Sequence, residues 1–272
     1  MLDFESHGQG ADLSSPSEVR RETVHIVGAG AGDASHLTLA AVEAISKAHV
    51  ILVDDLVDSS ILALIPEYVE IRKVGKRAGR PSAGQDQIIT GLISLAHTGK
   101  RVVRLKGGDP FIFGRGGEEA SALWASGLDV TIIPGVTAAL IAAASTGIPL
   151  TDRRYAQQVT FITGTDSGND LPALKGLAGP GRTLVIYMGR RQALRISEQL
   201  RADNVPFSFP AAIVQDAGRP SQSLFIATVG QLAAAISRGD NSKPAIIIVG
   251  EVVLLCPTSQ AESYKEVHFA NG

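Results

Sequence analysis

Short runs of β-branched and aliphatic residues alternate along the chain with segments whose apolar residues recur at helical spacing. The runs at 23–27, 50–53 and 102–105 are largely apolar, whereas 37–48 and 85–97 carry apolar residues three or four positions apart. Apolar strands separated by amphipathic helices are typical of a parallel sheet that is covered on both faces. The pattern therefore predicts an α/β fold with mostly parallel sheets.

The same alternation resumes after a polar, proline-containing stretch at 149–155. We expect the second half to contain five strands and two helices, at 159–163, 184–188, 192–202, 211–214, 224–228, 229–237 and 245–249. This pattern predicts one α/β domain at 23–148, a linker at 149–155 and a second α/β domain at 156–256. Because ligand sites favour domain interfaces, we expect the active site in the cleft between the domains.

Two segments have the composition of unstructured chain. Residues 1–22 are rich in Ser, Gly, Asp and Glu and show no hydrophobic period, which predicts a disordered tail without a catalytic role. Residues 166–181 are rich in Gly, Pro and Asp, and we expect a flexible insertion there.

Charge and cysteine usage narrow the classes of function. The 272 residues carry a formal net charge of −2, so no global positive field favours nucleic acid or an anionic membrane. The single cysteine, Cys256, excludes a disulfide framework, and the six histidines lack metal-binding spacing. There is neither an apolar signal core nor a run approaching about 20 apolar residues. We therefore expect a cytoplasmic protein that needs no metal, nucleic acid or membrane.

The stretch 102–120, VVRLKGGDPFIFGRGGEEA, concentrates the candidate chemistry. An apolar strand ends in a glycine-rich loop, and a helix then begins at a second glycine pair. Glycines at the end of a strand let the main chain approach a ligand closely. Lys106, Asp109 and Arg115 add both signs of charge where open α/β sheets bind ligands. The loop is therefore the predicted floor of an active site, whereas Glu118 and Glu119 alone would fit simple helix capping.

The turn after the first strand, GAGAGD at 28–33, does not by itself identify a ligand. A dinucleotide fingerprint needs a third glycine at position 33, which is Asp33 in this chain. Two interpretations fit the motif alone, namely a site for an adenosine-containing ligand and a tight strand–helix turn that binds nothing.

Longer motifs point to a family. The chain from 23 to 256 resembles the uroporphyrinogen-III C-methyltransferases of the tetrapyrrole methylase superfamily. The resemblance covers nearly everything except the N-terminal tail and the last residues. The matching blocks are VGAGAGD (27–33), VGKRAGR (74–80), the stretch 102–120 quoted above, IPGVTAA (133–139), GIPLTDRRYAQQVTFITG (147–164), LVIYMG (184–189) and KPAIIIVGEVV (243–253).

The resemblance implies a reaction and its cofactor. Members of the family methylate uroporphyrinogen III twice with S-adenosyl-L-methionine, on carbons 2 and 7 of rings A and B. The product is precorrin-2, formed through precorrin-1, which feeds sirohaem, cobalamin or haem d synthesis. The by-product is S-adenosyl-L-homocysteine. The resemblance also implies a homodimer with the methyl donor folded in the interdomain cleft.

The same resemblance assigns residues to roles. Asp54 becomes a proton acceptor, Lys76 a proton donor and Arg115 an essential catalytic residue. Because an arginine stays protonated, we interpret Arg115 as orienting the substrate and leave the base open. The expected substrate contacts are Glu118 and Arg153, with Arg77 and Arg154 as further grips on carboxylates. The expected donor contacts are Ala31, Gly107, Gly108, Asp109, Ile112, Thr137, Ala138, Met188, Ala217 and Ala245.

Some positions depart from the family pattern, and other functions stay open. Ala31 replaces a usual proline, Asp55 adds a second acid beside Asp54, and Ala217 replaces a commoner glycine. The alternatives are a methyltransferase for a later corrinoid, a nucleotide-dependent oxidoreductase and a non-catalytic sensor. An oxidoreductase predicts NADH binding, and a sensor predicts ligand binding without turnover.

Overall fold

The computed structural model describes residues 23–74, 84–165 and 170–257. They form two five-stranded sheets, one built from the first half of the chain and one from the second. The predicted tail at 1–22, Lys76 and Arg77 lie outside the described residues. The two-sheet α/β class expected from the sequence is confirmed.

The first half alternates strands and helices throughout. Its elements are β1 (Thr23–Gly28), α1 (Leu39–Lys47), β2 (Val50–Val53), α2 (Ser59–Leu62), β3 (Glu70–Lys73), α3 (Gln85–Ala96), β4 (Val102–Lys106), α4 (Gly116–Ala125), β5 (Asp129–Ile133) and α5 (Ala138–Thr146). The sheet order is β3-β2-β4-β1-β5, and every pairing is parallel. All carboxyl ends therefore meet at one edge of the sheet, with β4 in the centre.

The second sheet is mixed. Its elements are β6 (Ala156–Thr163), β7 (Gly181–Tyr187), α6 (Ala193–Ala202), β8 (Pro210–Gln215), β9 (Ser223–Thr228), α7 (Leu232–Ser237) and β10 (Ala245–Val249). The order is β6-β7-β10-β8-β9, in which β6 and β7 are parallel and the three other pairings are antiparallel. The connection from β8 to β9 holds only residues 216–222, which is too short for a parallel crossover.

The stretch expected to be a flexible insertion belongs in part to the core. Leu171, Leu174 and Ala178 are buried and pack in one cluster with Leu184 and Ile196. This finding corrects the prediction for residues 170–181, because three spaced apolar side chains outweigh the Gly, Pro and Asp around them.

Helix α5 connects the two halves of the molecule. Its buried residues Ala139 and Ala142 pack with Val185, Ala212 and Ile248 of the second sheet. The helix follows the last strand of the first sheet, so this packing fixes one sheet against the other. The boundary at 149–155 stays a prediction.

Three glycines make a main-chain junction at the edge where the cleft opens. A Cβ atom on Gly135 would lie 2.3 Å from the Gly108 carbonyl oxygen and 2.8 Å from the Gly28 Cα. A Cβ on Gly28 would lie 2.5 Å from the Gly135 nitrogen. Real Cβ atoms cannot approach main chain so closely, so the three segments meet only because Gly28 and Gly135 lack side chains. Gly108 contributes its carbonyl oxygen to the junction. No helix in the described ranges has both the length and the apolar character that a membrane crossing needs.

The junction predicts a large difference between two glycine substitutions. Gly135→Ala should lower the free energy of unfolding by about 1–3 kcal/mol, because the added methyl overpacks three loops. Gly91→Ala is the control, since a Cβ at Gly91 in α3 meets nothing within 4 Å. It should raise the free energy of unfolding by about 0.5–1 kcal/mol. Urea denaturation of both variants measures the difference, and equal stability would contradict the close-contact argument.

Candidate active site

A cleft of about 810 Å³ lies between the carboxyl edge of the first sheet and the second domain. The first domain contributes the loops after β1, β2 and β4 and the start of α5. The second domain contributes residues after β7 and β8 and the start of β10. Such a position follows from topology, because the carboxyl ends of the parallel strands all open toward the second domain.

The ten residues expected to contact the donor all line this cleft. Seven of them come from the first domain and three from the second, which places distant parts of the chain around one space. They are Ala31, Gly107, Gly108, Asp109, Ile112, Thr137 and Ala138, and then Met188, Ala217 and Ala245. Their contact with the donor remains a prediction.

The glycine loops are joined by main-chain hydrogen bonds. Gly108 donates to the Gly30 carbonyl at 2.8 Å, and Gly30 donates back to Gly108 at 3.1 Å. The Asp109 carboxylate accepts from the Phe111 and Gly135 nitrogens at 2.8 and 3.1 Å. We therefore assign the Asp109 side chain to loop structure, which makes this wall of the cleft rigid.

Met188 lies in the wall in an unusual conformation. It follows β7 with φ 53°, in the left-handed region that residues other than glycine rarely adopt. Its side chain is about half exposed, so it is not ordinary strand core. Strained backbone of this kind concentrates at ligand sites, which favours a functional interpretation of Met188.

Tyr187 holds the start of α5. Its hydroxyl lies 2.7 Å from the Thr137 hydroxyl and accepts from the Ala139 nitrogen at 3.1 Å. Burial raises the pKa of Tyr187, so the phenol keeps its proton. The hydroxyl thus positions Thr137 at the cleft by a bond between the second sheet and α5.

Four charged side chains form a buried cluster beneath the cleft, which we call the floor cluster. Arg104 donates to Asp54 Oδ1 at 2.6 Å and to Glu119 Oε1 at 3.2 Å. Lys106 donates to Glu119 Oε1 at 3.0 Å, and its Nζ lies 3.8 Å from Asp54 Oδ2. Arg104, Lys106 and Glu119 are at most 3% exposed, whereas Asp54 is 29% exposed and reaches the cleft.

Burial and the neighbouring Arg104 lower the pKa of Lys106, and Glu119 and Asp54 offset part of that effect. Sequence reasoning identified Asp54 and noted Lys106 but missed the pairing, and it treated Glu119 as a helix cap. The sequence does contain a signal for this pairing. Two cations, at positions 104 and 106, stand in an otherwise apolar strand, and buried cations require buried anions as partners.

Arg115 stands at the start of α4 with φ 58°. It donates to both carboxylate oxygens of Glu118, at 2.9 and 2.6 Å, and this pairing lowers the pKa of Glu118. Both side chains are about half exposed beside the cleft, and Arg115 lines it. The pair presents a fixed guanidinium that could grip a substrate carboxylate.

Two of the other expected substrate contacts, Arg153 and Arg154, lie away from the cleft. The described lining of the cleft does not include Arg153 or Arg154, and Arg154 pairs with Asp152 at 3.0 Å on the surface. Lys76 and Arg77 fall in the range 75–83, outside the described residues. The structure therefore brings together Asp54 and Arg115 of the predicted catalytic set.

An arginine that sequence reasoning missed joins the two domains across the cleft. Arg219 donates to the Leu56 carbonyl at 2.8 Å and lies 3.1 Å from Asp58 Oδ2, both in the first domain. It also donates to Asp216 Oδ1 at 3.1 Å, in the second domain. This bridge fixes the separation of the two walls. Its partners are far apart in sequence, so no local motif marks it.

Comparison with known proteins supplies the family. The sequence-family model of the tetrapyrrole (corrin/porphyrin) methylases matches residues 23–233 of this chain. A siroheme synthase of Pseudomonas fluorescens (strain Pf0-1) is 43% identical over 265 residues, which cover 94% of this chain and 57% of that protein. Siroheme synthase 1 of Yersinia pseudotuberculosis is 46% identical over 259 residues, covering 92% and 54%. The chain therefore spans about half the length of these curated relatives.

Solved structures agree with the fold. A uroporphyrin-III C-methyl transferase from Thermus thermophilus, complexed with S-adenyl homocysteine, aligns with a TM-score of 0.74 and 37% identity. The alignment covers 85% of this chain and 98% of that one. A cobalt precorrin-4 methyltransferase, at 24% identity and a TM-score of 0.74, shares the fold. These matches confirm the resemblance drawn from the sequence motifs, and the chain belongs to the tetrapyrrole methylases.

Proposed function

We propose that the chain transfers two methyl groups from S-adenosylmethionine to uroporphyrinogen III and so forms precorrin-2. The observation that carries this proposal is the convergence of all ten expected donor contacts on one interdomain cleft. The Thermus thermophilus relative supports it, because that protein is a uroporphyrin-III C-methyl transferase with S-adenyl homocysteine bound. The later-corrinoid and oxidoreductase alternatives have no comparable support.

The walls of the cleft suit a methyl sulfonium. Such a donor already carries its leaving group, so it needs orientation and a water-poor pocket more than acid catalysis. We propose that the rigid loop at Gly107 and Gly108 supplies main-chain contacts close to the donor. Across the cleft, Met188 and Ala245 would supply apolar surface from the second domain.

The methyl acceptor, uroporphyrinogen III, requires a base that takes a proton and cations that bind its carboxylates. Methylation of a pyrrole carbon builds positive charge in the macrocycle, which is lost when a proton leaves a neighbouring carbon. Asp54 is the exposed member of the floor cluster, and we propose that it accepts this proton. Arg115, oriented by Glu118, would bind a substrate carboxylate. Roles for Lys76, Arg77, Arg153 and Arg154 stay predictions.

Assembly, location and pathway belong to the same proposal. We propose a cytoplasmic homodimer, as the family resemblance implies. The curated relatives are siroheme synthases. We therefore propose sirohaem as the first pathway to test, before cobalamin or haem d.

The reaction is tested by anaerobic incubation with enzymatically generated uroporphyrinogen III and S-adenosylmethionine. Mass spectrometry of the oxidised product should show a gain of two methyl groups. A gain of one would indicate an enzyme that stops at precorrin-1. A folded protein that binds the donor and transfers no methyl group would refute the substrate assignment.

Arg115→Ala should abolish turnover and leave donor binding nearly intact, because Arg115 is assigned to the substrate. Calorimetry with S-adenosylhomocysteine should give a dissociation constant within about threefold of wild type, and kcat/KM should fall by about 100-fold or more. Arg195→Ala is the control, since Arg195 forms a surface pair with Asp170. Loss of both donor binding and turnover in Arg115→Ala would show that the residue is structural.

Arg219→Gln should weaken donor binding without unfolding the protein. The substitution removes the bridge between Asp58 and Asp216, so the two walls lose a fixed separation. We expect the dissociation constant of S-adenosylhomocysteine to rise by about tenfold, equivalent to about 1.4 kcal/mol. Unchanged affinity in a variant with an unchanged melting temperature would show that the bridge does not shape the cleft.

A further inference from the structure

Arg191 is a cation of the second domain that stands ready for a ligand in the cleft. It belongs to a short helical turn, Arg190–Gln192, that follows β7 after Met188 and Gly189. The residue is exposed, and it lines the cleft. Within the three described ranges of the chain, its guanidinium makes neither a hydrogen bond nor an ion pair. Because an arginine carries several N–H donors and a permanent charge, such a side chain is available to an anionic group.

The other cations that line the described cleft already have partners. In the first domain they are paired within the floor cluster or, at Arg115, with a carboxylate of α4. In the second domain Arg219 bridges two carboxylates. Lys243 donates to a main-chain carbonyl at 3.1 Å. A ligand must share these groups with their partners, whereas Arg191 binds a ligand without breaking a described contact.

The neighbouring Arg190 fixes the backbone that carries Arg191. Its guanidinium donates to three acceptors in the segment 240–243, among them the Lys243 carbonyl at 3.1 Å. A Cβ on Gly189 would lie 2.8 Å from a side chain of β7, so the main chain packs closely there. The turn is therefore held both by its hydrogen bonds and by its packing. A fixed base lowers the cost of ordering the side chain on a ligand.

The described lining of the cleft carries more cations than acids. Seven of its residues are Lys or Arg, and three are Asp, so the lining suits an anionic ligand. S-adenosylmethionine lacks that character, because its sulfonium and ammonium groups outnumber its single carboxylate. Uroporphyrinogen III carries several carboxylates and no balancing cation. The substrate is therefore the ligand that gains most from an available arginine.

We propose that Arg191 binds a carboxylate of the tetrapyrrole from the second domain, an assignment that rests on the proposed methylation. Arg115 would bind a carboxylate from the first domain, so the two walls of the cleft hold the macrocycle together. A guanidinium takes a carboxylate in a bidentate geometry, which fixes orientation as well as position. Arg191 is thus a specificity-determining residue and takes no part in the chemical step.

Steady-state kinetics test this role. At saturating S-adenosylmethionine, the KM of Arg191→Ala for uroporphyrinogen III should rise by about tenfold, with kcat within about twofold of wild type. Arg191→Lys keeps the charge and loses the planar fork, so its KM should lie between those two. Arg191→Glu should raise KM further, because it repels a carboxylate. Arg195→Ala is the control and should match wild type, since Arg195 is outside the described lining and pairs with Asp170.

A second measurement separates the substrate from the donor, whose methionine end also carries a carboxylate. Calorimetry of Arg191→Ala with S-adenosylhomocysteine should give a dissociation constant within about threefold of wild type. 5′-Methylthioadenosine, which lacks the amino-acid end, should bind both proteins equally. Weaker binding of S-adenosylhomocysteine alone would assign Arg191 to the donor and overturn the proposal. Weaker binding of both ligands would show a changed cleft and would also overturn it.

Direct binding separates this proposal from the proposed function. Uroporphyrin III is the oxidised macrocycle with the same carboxylates, and its fluorescence reports binding without turnover. Protein loaded with S-adenosylhomocysteine should lose about tenfold in affinity for it in Arg191→Ala. If wild type binds it through Arg191 yet methylates no uroporphyrinogen III, the proposed function fails and the carboxylate contact stands. If wild type methylates and Arg191→Ala keeps its KM and porphyrin affinity, the contact is refuted. If wild type neither methylates nor binds the porphyrin, both proposals fail.

Discussion

Two cations on the central strand of a buried sheet require anions, and much of the first domain is arranged around that requirement. Arg104 and Lys106 lie on β4 between β1 and β2, where water cannot solvate them. Asp54 comes from the end of β2 and Glu119 from α4, so two other elements must be placed to within hydrogen-bond distance. Removing one partner from such a pair typically costs about 3–5 kcal/mol, because the other charge stays buried. The cluster thus ties the position of α4 to the ends of the strands that form the floor of the cleft.

The second domain completes the site without adding to this floor. It contributes apolar residues such as Met188 and Ala245 together with charged ones such as Arg190 and Lys243. Arg219 and Tyr187 connect it to the first domain. The wall opposite the floor cluster therefore combines apolar and charged side chains, and the cleft is complete only where the two sheets meet.

Sequence patterns predicted most of the fold and part of the site. β2 and β10 have the predicted bounds, because apolar runs flanked by turns mark buried strands directly. The family motifs identified Asp54 and Arg115, which the structure places at the same cleft. The pairings of Arg104 with Glu119 and of Arg219 with Asp58 could not be predicted, since they depend on how distant segments meet. The mixed order of the second sheet also escaped prediction. Its strands β8 and β10 are buried on both faces, so they carry the continuous apolar run that is typical of parallel strands although they pair antiparallel.

The central claim is that one interdomain cleft holds the methyl donor above the floor cluster. A crystal structure of the full chain with S-adenosylhomocysteine tests it most directly. We expect ligand density between the loop at Gly107 and Gly108 and the wall at Met188 and Ala245, with the sulfur facing the side of the cleft that holds Asp54. Ligand bound outside this cleft, or bound with its sulfur away from Asp54, would refute this placement of the donor.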